Sequence, residues 1–125
     1  MKKLTALILS ALFLTGCGAA AGSFQQISQQ EAAALMEQET DFVILDVRTP
    51  AEFSAGHIPG AINIPVETIG GEAPEALPRK DQLILVYCRS GNRSKQASGK
   101  LAALGYTDIR EFGGINTWQG EIVAD

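Results

Sequence analysis

A cysteine followed by small and basic residues is the feature of this sequence best suited to covalent chemistry. Cys88 ends the apolar run Leu83–Tyr87 and opens the segment Cys-Arg-Ser-Gly-Asn-Arg-Ser, after which a helical pattern begins. The thiol therefore lies at a strand-to-helix turn, near the positive end of a helix macrodipole and the charges of Arg89 and Arg93. Both influences lower the pKa of a thiol and favour the thiolate. The pattern indicates that Cys88 is a nucleophile.

Four short segments are expected to form the strands that position this cysteine. The runs Phe42–Leu45, which ends at Asp46, and Leu83–Tyr87 are continuously apolar rather than alternating. Continuous apolar runs are typical of strands covered on both faces, as in a parallel sheet between helices. Two further strands are predicted at Ala61–Ile64 and Asp108–Phe112. The pattern therefore predicts an α/β domain.

Capping patterns mark the helices between these strands. Ser28–Glu31 is a capping box, which predicts a helix that ends near residue 38. Thr49–Glu52 repeats the pattern with a proline at the first helical position, so that its glutamate is interpreted as a cap rather than a catalytic acid. A third helix is predicted over Ser94–Leu104. Gly113-Gly114 is then expected to turn the chain into a short closing helix over Ile115–Gln119.

The first residues have the composition of an export signal. Met1-Lys2-Lys3 is a charged start, and the apolar stretch Leu4–Leu14 is too short to span a bilayer, which needs about 20 residues. Leu14-Thr15-Gly16-Cys17 resembles the bacterial lipoprotein signal, in which cleavage before the cysteine leaves an N-terminal Cys17 that receives acyl chains. The alternative is an ordinary secretory peptide that is cut near Ala19–Ala21.

These features predict three parts of the chain: a signal peptide over residues 1–16, a lipidated tether over 17–23 and a folded domain over 24–125. More than one acyl chain gives stable anchoring, so we expect an exported protein held at the periplasmic face of a bacterial membrane. The residue after Cys17 is Gly18 rather than an aspartate. In this respect the sequence resembles enterobacterial lipoproteins that are sorted to the outer membrane. The sequence itself leaves the choice between inner and outer membrane open.

Charge and cysteine content narrow the function further. Removal of residues 1–16 from the 125-residue chain leaves 109 residues and changes the formal charge from −4 to −6, because Lys2 and Lys3 are lost. An acidic surface without a basic stripe argues against nucleic acid as a partner. If Cys17 is lipidated, Cys88 has no partner for an intramolecular disulfide. A lone thiol in an oxidising compartment is either buried and inert or reactive, and the position of Cys88 favours the reactive interpretation.

The segment that contains Cys88 resembles the active-site loop of the rhodanese (thiosulfate sulfurtransferase) family. Other segments resemble the signatures of this family in the same order and at similar spacings. They are Leu45-Asp46-Val47-Arg48, Glu52-Phe53, Gly56 to Pro65, and Phe112 to Ile115 with Trp118. The match covers roughly residues 24–120 and implies a single rhodanese domain, with a five-stranded parallel sheet flanked by helices on both faces.

The resemblance implies a thiosulfate sulfurtransferase-like enzyme without a cofactor. Cys88 would take the outer sulfur of a small anionic donor such as thiosulfate as a persulfide and pass it to cyanide or a thiol. If the loop curls so that its N–H groups face inward, it forms an anion-binding nest around the sulfur. Small and flexible residues suit that curve, and the arginines would hold the donor. The predicted substrate-binding residues are Arg89, Ser90, Gly91, Asn92, Arg93 and Ser94.

Two other functions remain as alternatives. A cysteine-dependent phosphatase or arsenate reductase uses a similar loop, but such loops place five residues between the cysteine and the arginine, whereas four separate Cys88 from Arg93. The shorter loop favours a single sulfur atom over a tetrahedral oxyanion. A rhodanese-like sulfur carrier or binding module without turnover is the second alternative, although inactive relatives usually lack the cysteine.

The remaining polar residues are given supporting or structural roles. Asp46 and Arg48 follow a strand at the edge where α/β sites form, and they are expected to pair with each other or to order the Cys88 loop. His57, the only histidine, and Trp118 are interpreted as structural. The chain has no cluster of histidine and cysteine, so we expect no metal site.

Overall fold

The computed structural model of this chain describes residues 23–125. The predictions for the signal peptide, for lipidation of Cys17 and for the tether up to residue 22 lie outside the described residues. The described part contains five strands in one parallel sheet with the order β1-β5-β4-β2-β3. The strands are β1 (Gln25–Gln26), β2 (Phe42–Asp46), β3 (Ile62–Asn63), β4 (Leu83–Cys88) and β5 (Asp108–Gly114). The predicted α/β fold with a five-stranded parallel sheet is confirmed.

Helices cover both faces of this sheet. They are α1 (Gln29–Gln38), α2 (Pro50–Ala55) and α3 (Asn92–Ala103), with short 3₁₀ turns at Val66–Thr68 and Ile115–Thr117. Both predicted capping boxes are present, at Ser28 with Glu31 and at Thr49 with Glu52. The caps fix where α1 and α2 begin because they satisfy backbone N–H groups that have no partner within the helix.

The central strand β4 explains the continuous apolar run of the sequence. All six of its residues are buried. Its side chains alternate between two apolar clusters, with Leu85 and Tyr87 on one face of the sheet and Val86 and Cys88 on the other. A strand buried on both faces has no polar side, so alternation of apolar and polar residues does not develop.

One strand is missing from the sequence predictions, and three local predictions differ from the structure. Strand β1 was not predicted, because Gln25 and Gln26 are exposed and carry no apolar pattern. Gly113-Gly114 continues β5 instead of turning the chain, so that prediction is wrong, and the closing helix is a single 3₁₀ turn over Ile115–Thr117. Helix α3 begins at Asn92, two residues before the predicted start.

Parallel strands bring their carboxyl ends to one edge of the sheet. Asp46 ends β2, Cys88 ends β4 and Gly114 ends β5. Side chains at these ends therefore lie in one region, and the loops that follow them form the candidate site. No helix among residues 23–125 is long and apolar enough to cross a membrane.

Candidate active site

Cys88 is the last residue of β4, and a three-residue loop connects it to α3. Gly91 is the N-cap of α3 and has a φ of 110°, in the left-handed region that favours glycine. This conformation turns the chain so that the start of α3 faces the cysteine. The predicted strand-to-helix turn is confirmed, and Gly91 is its left-handed residue.

The Cys88 sulfur is surrounded by hydrogen-bonding groups although the residue is only 1% exposed. The backbone N–H of Gly91 donates to Sγ at 3.0 Å, and Ser94 Oγ lies 3.4 Å from it. Burial raises the pKa of the Cys88 thiol, but the hydroxyl and N–H of Ser94 and the N–H groups of Gly91 and Ser90 lower it by more. The net effect is a pKa below the usual value of 9.0. The site therefore favours a thiolate through dipoles.

The end of β5 holds the Cys88 loop in this shape. Gly114 packs so tightly under the loop that a Cβ at this position would overlap the carbonyl group of Arg89. The N–H of Asn116 donates to the Arg89 carbonyl oxygen at 3.1 Å. Gly113, with a φ of 93°, lies against Gly91. These close backbone approaches explain why β5 ends in two glycines.

Ser94 and Glu111 form a buried polar pair beside the sulfur. Ser94 is fully buried, and Glu111 is 2% exposed. Ser94 Oγ lies 2.5 Å from Glu111 Oε2, which also accepts a hydrogen bond from the N–H of Gly113 at 2.9 Å. Ser94 was predicted to contact substrate, whereas the structure places its hydroxyl between Cys88 and a carboxylate.

Arg93 is paired with Glu52 of α2. Its two terminal nitrogens donate to the two carboxylate oxygens at 2.8 and 3.1 Å. Hydrogen bonds from Arg93 and from the backbone of Thr49 lower the pKa of Glu52 to about 2. The pKa of Arg93 is raised chiefly by Glu52, with a smaller contribution from the charge of Cys88. Both ends of this guanidinium are engaged, and the predicted contact of Arg93 with a donor stays a prediction.

Other polar groups of the loop remain accessible. Arg89, Ser90 and Asn92 are exposed. Lys95 is also exposed, and its Nζ lies 3.9 Å from the position of a Cβ at Gly91. Arg89 and Lys95 therefore supply the positive charge that an anion would meet on approach to the loop.

Asp46 and Arg48 form an ion pair that supports the neighbouring segment. Arg48 Nη2 donates to Asp46 Oδ2 at 2.6 Å and to the Gly56 carbonyl oxygen at 2.7 Å, and both ionic side chains are buried. Desolvation lowers the pKa of Arg48, but hydrogen bonds and the charge of Asp46 raise it by more. Pairing of Asp46 with Arg48 was one of the two arrangements expected from the sequence. The structure adds that the pair joins the end of β2 to the end of α2.

His57 and Trp118 contact structural partners. His57 is 7% exposed, stacks on Phe53 with ring centroids 3.8 Å apart, and places Nδ1 2.7 Å from the Phe53 carbonyl oxygen. Trp118 packs on Phe112, with ring centroids 5.6 Å apart. Within residues 23–125, no group of three or more histidine, cysteine, aspartate and glutamate residues could hold a metal ion.

These features define a class of protein: a parallel α/β domain with a buried cysteine in an amide-lined loop between a strand and a helix. The model of the rhodanese-like domain family matches residues 28–121. The chain therefore belongs to that family, which confirms the resemblance.

Three comparisons illustrate the similarity. The thiosulfate sulfurtransferase PspE of Escherichia coli is 38% identical over 71 residues, which cover 57% of this chain and 68% of that protein. A sulfurtransferase of Allochromatium vinosum is 36% identical over 94 residues, or 74% of this chain and 86% of that protein. The solved structure of a rhodanese with anions from E. coli superposes with a TM-score of 0.61 at 34% identity and covers 66% of this chain and 98% of its own.

Sequence reasoning missed two acidic residues of the site. Glu111 lies two residues after Ile109 on a strand, so both side chains point to the same face, and this signal could have shown that the carboxylate is buried. Glu52 was interpreted only as a cap. Its partner Arg93 is 41 residues away in the chain, and no local pattern connects them.

Proposed function

We propose that this protein transfers a sulfane sulfur from thiosulfate or a similar anionic donor to a thiophilic acceptor through a persulfide on Cys88. The observation that carries the proposal is the inward N–H of Gly91, 3.0 Å from Sγ, in a loop whose polar hydrogens lower the thiol pKa. Membership of the rhodanese-like family supports it, as do the names of the thiosulfate sulfurtransferase and the sulfurtransferase to which the chain is similar.

The reaction consists of two displacements. The Cys88 thiolate attacks the outer sulfur of thiosulfate, an S–S bond forms to Cys88 as the S–S bond of thiosulfate breaks, and sulfite leaves with the electron pair. The product is a Cys88 persulfide anion. An acceptor such as cyanide or a thiolate then attacks the outer sulfur of the persulfide and restores the Cys88 thiolate. The N–H groups that face the sulfur stabilise negative charge in both steps.

The exposed cations near the loop are the reason that we propose an anionic sulfur donor. Arg89 and Lys95 lie at the outer side of the loop and would attract thiosulfate and stabilise sulfite as it leaves. Ser90 and Asn92 are exposed beside them and can donate hydrogen bonds to sulfonate oxygens. Gly91 supplies backbone rather than a side chain, so the donor can approach closely.

Sulfur uptake tests the proposal directly. The reduced full chain is mixed with thiosulfate and its intact mass is read. We expect a gain of one sulfur atom that is absent in Cys88→Ser and retained in Cys17→Ser, which removes the other cysteine. Subsequent cyanide should remove the added mass and release thiocyanate. Failure of the wild-type protein to gain sulfur would overturn the proposal and favour a binding module.

Phosphatase chemistry is disfavoured by the partner of Arg93. A phosphate-binding loop needs a free arginine fork for the oxyanion, whereas both terminal nitrogens of Arg93 bind Glu52. We therefore expect no hydrolysis of an aryl phosphate by a preparation that takes up sulfur. Hydrolysis without sulfur uptake would reverse the assignment.

The proposal extends to location. The segment Leu14-Thr15-Gly16-Cys17 after a short apolar stretch supports acylation of Cys17 and attachment of the domain to the periplasmic face of a bacterial membrane. Expressed in a bacterium, the wild-type chain should sediment with membranes and carry the mass of acyl chains on Cys17. Cys17→Ser should lose both properties. A wild-type protein cleaved near Ala19–Ala21 and recovered in the soluble fraction would contradict the acylation.

A further inference from the structure

Glu111 is a buried carboxylate whose position the proposed sulfur transfer does not use. It is 2% exposed, and no arginine or lysine nitrogen lies within 4 Å of it among residues 23–125. Its Oε2 contacts Ser94 Oγ at 2.5 Å and the N–H of Gly113 at 2.9 Å. An ionised carboxylate without a cation is expensive to bury, so its protonation state is coupled to its neighbours.

The hydrogen bonds of Ser94 limit where protons can be. Its Oγ lies 2.5 Å from Glu111 Oε2, 3.0 Å from the Gly91 carbonyl oxygen, 3.4 Å from Cys88 Sγ and 3.5 Å from the Gly113 carbonyl oxygen. The hydroxyl has one proton to donate, and carbonyl and carboxylate oxygens only accept. When that proton is given to ionised Glu111, the lone pairs of Ser94 can accept an S–H from Cys88.

In the second arrangement the negative charge lies on the Cys88 sulfur instead of on Glu111. A Cys88 thiolate accepts the hydroxyl proton of Ser94, and two bare oxygens 2.5 Å apart would then repel each other unless Glu111 carries a proton. The three side chains therefore hold one negative charge in two arrangements. One is a Cys88 thiol with a Glu111 carboxylate, and the other is a Cys88 thiolate with a Glu111 carboxylic acid.

We propose that Glu111 is the internal proton acceptor for Cys88 and acts through the hydroxyl of Ser94. The S–H proton of Cys88 passes to Ser94 Oγ as the hydroxyl proton of Ser94 passes to Glu111 Oε2. The products are a thiolate and a neutral carboxylic acid, and the total charge does not change. Glu111 is thus a positioning residue that lets a buried sulfur ionise without exchange of its proton with bulk water.

Charged residues near Cys88, Ser94 and Glu111 come from the elements that pack around them. Cys88 of β4 is connected to Glu111 through Ser94, and Lys95 Nζ of α3 and Glu111 Oε2 both lie 3.9 Å from the position of a Cβ at Gly91. Arg93 of α3 interacts with the charge of Cys88 but is paired with Glu52. On the other side of the strand, β1 contributes Gln26 opposite Glu111, and Gln29 of α1 reaches Gly113, and neither carries a charge. Lys95 and Arg93 both favour negative charge in the group.

The pH profile of Cys88 alkylation tests the proposal. Iodoacetamide is neutral and reacts with thiolate, so the rate at the peptide that contains Cys88 in the full chain follows the thiolate fraction. In the wild-type protein we expect a first rise, a plateau and a second rise at higher pH, because two coupled groups release their protons in two steps. Glu111→Gln should show a single rise, because only the thiol titrates, and on the wild-type plateau its rate should equal or exceed that of the wild-type protein, since no carboxylate then competes for the negative charge.

Two variants act as controls. Ser94→Ala keeps Glu111 but breaks the connection and should also give a single rise. Asp108→Asn removes a carboxylate from the same strand that pairs with Arg110, outside the group, and should keep both rises. A single rise in the wild-type protein that moves to lower pH in Glu111→Gln would overturn the proposal, because Glu111 would then act only as an unfavourable charge.

Infrared spectroscopy gives a readout that does not need Glu111→Gln to fold. At the plateau pH, the wild-type protein should show the carbonyl band of a protonated carboxylic acid that is lost in Cys88→Ala, since the thiol proton is then missing. A band that persists in Cys88→Ala, or no band in the wild-type protein, would overturn the proposal. The inference concerns the thiolate of the proposed sulfur transfer but is measured without a sulfur donor. If the alkylation profiles are as expected but the protein takes up no sulfur, the proposed sulfur transfer is refuted and the role of Glu111 is not.

Discussion

Dipoles more than cations stabilise the charge on the Cys88 sulfur. The hydrogen bonds that lower its pKa come from Ser94, Gly91 and Ser90, whereas Arg93 is occupied by Glu52. The helix start acts as the sequence predicted, but the arginine charge acts at the mouth of the loop through Arg89. Chemistry at the sulfur and attraction of the donor are thereby separated.

This separation predicts different responses to salt. Salt screens exposed charges strongly and buried dipoles little. Between low and physiological ionic strength, kcat/KM for thiosulfate should fall by roughly two- to five-fold, as expected for exposed charges worth about 1 kcal/mol in total. The rate of Cys88 alkylation by neutral iodoacetamide should change by less than that. Equal losses in both rates would show that the thiolate itself depends on exposed cations.

The pair of Glu52 and Arg93 predicts a stability difference that depends on pH. The pKa of Glu52 is about 2 in the folded protein against a reference value of 4.5, so the unfolded chain binds more protons between these values. The stabilisation is fully present above about pH 4.5 and is lost as the pH falls through about 2. Both side chains are about one-third exposed, so solvent screening limits the pair to about 1 kcal/mol.

Glu52→Gln isolates this charge, because glutamine can replace glutamate in a capping box. Urea unfolding at a series of pH values should give a lower free energy of unfolding for the variant at neutral pH and convergence with the wild-type protein in acid. Asp41→Asn removes the charge of the exposed Asp41–Arg79 pair far from the site and controls for net charge. A difference that grows on acidification would contradict the assignment.

At the level of elements, the Cys88 loop depends on the end of β5. The register of β4 and β5 shifts between Val86 and Cys88, and Gly114 then pairs with Cys88. The shift brings the glycine backbone under Arg89, where only a residue without a side chain leaves room. The sharp turn at Gly91 and the irregular end of β5 are thus two halves of one packing arrangement.

We therefore predict that Gly114→Ala disables the site. A Cβ at this position must displace the backbone of Arg89 and Ser90, which moves the N–H groups that face the sulfur. Sulfur uptake and the rate of Cys88 alkylation should each fall by at least roughly ten-fold, the change expected when about 1.4 kcal/mol of charge stabilisation is lost. Circular dichroism checks that the helices remain.

Gly99→Ala is the matched control for this variant. Gly99 lies within α3, and a Cβ there meets no atom within 4 Å. Alanine should raise the free energy of unfolding by about 0.5–1 kcal/mol through helix propensity and leave sulfur uptake unchanged. Equal activities of the two variants would contradict the role assigned to the close contact at Gly114.

At the scale of the whole molecule, the sequence predicts what depends on local pattern and loses what depends on distant pairs. The buried runs of β2 and β4, both capping boxes and the cysteine loop are local, and the structure confirms them. Strand β1 is defined only by its pairing with β5, 85 positions further along, since its two glutamines are exposed. The Glu52–Arg93 pair is likewise formed by tertiary packing of α2 against the start of α3.

A further long-range contact ties residues 122–125 to the body of the domain. His57 and Val123 exchange two backbone hydrogen bonds of 2.8 and 2.9 Å, and the N–H of Asp125 donates to the Ser54 carbonyl oxygen at 3.1 Å. This segment lies beyond residue 121, where the family match ends, and it covers a histidine that is 7% exposed. The contact therefore joins the last described residues to α2 and to the connection between α2 and β3, whereas the backbone of the Cys88 loop is bonded to Asn116 after β5.

Removal of residues 122–125 should lower the free energy of unfolding by about 1.5–4.5 kcal/mol, since three hydrogen bonds are lost and each contributes about 0.5–1.5 kcal/mol. At a low temperature, where the shortened protein remains folded, sulfur uptake should be unchanged, because the end of β5 holds the Cys88 loop. Asp125→Asn is the control: it keeps the backbone bonds and removes only the 3.8 Å contact between His57 and an exposed carboxylate, so stability should change by a few tenths of a kcal/mol. Chemical unfolding of the three proteins distinguishes these effects. Equal stability of the shortened and full chains would mean that water replaces Val123 at His57 without loss.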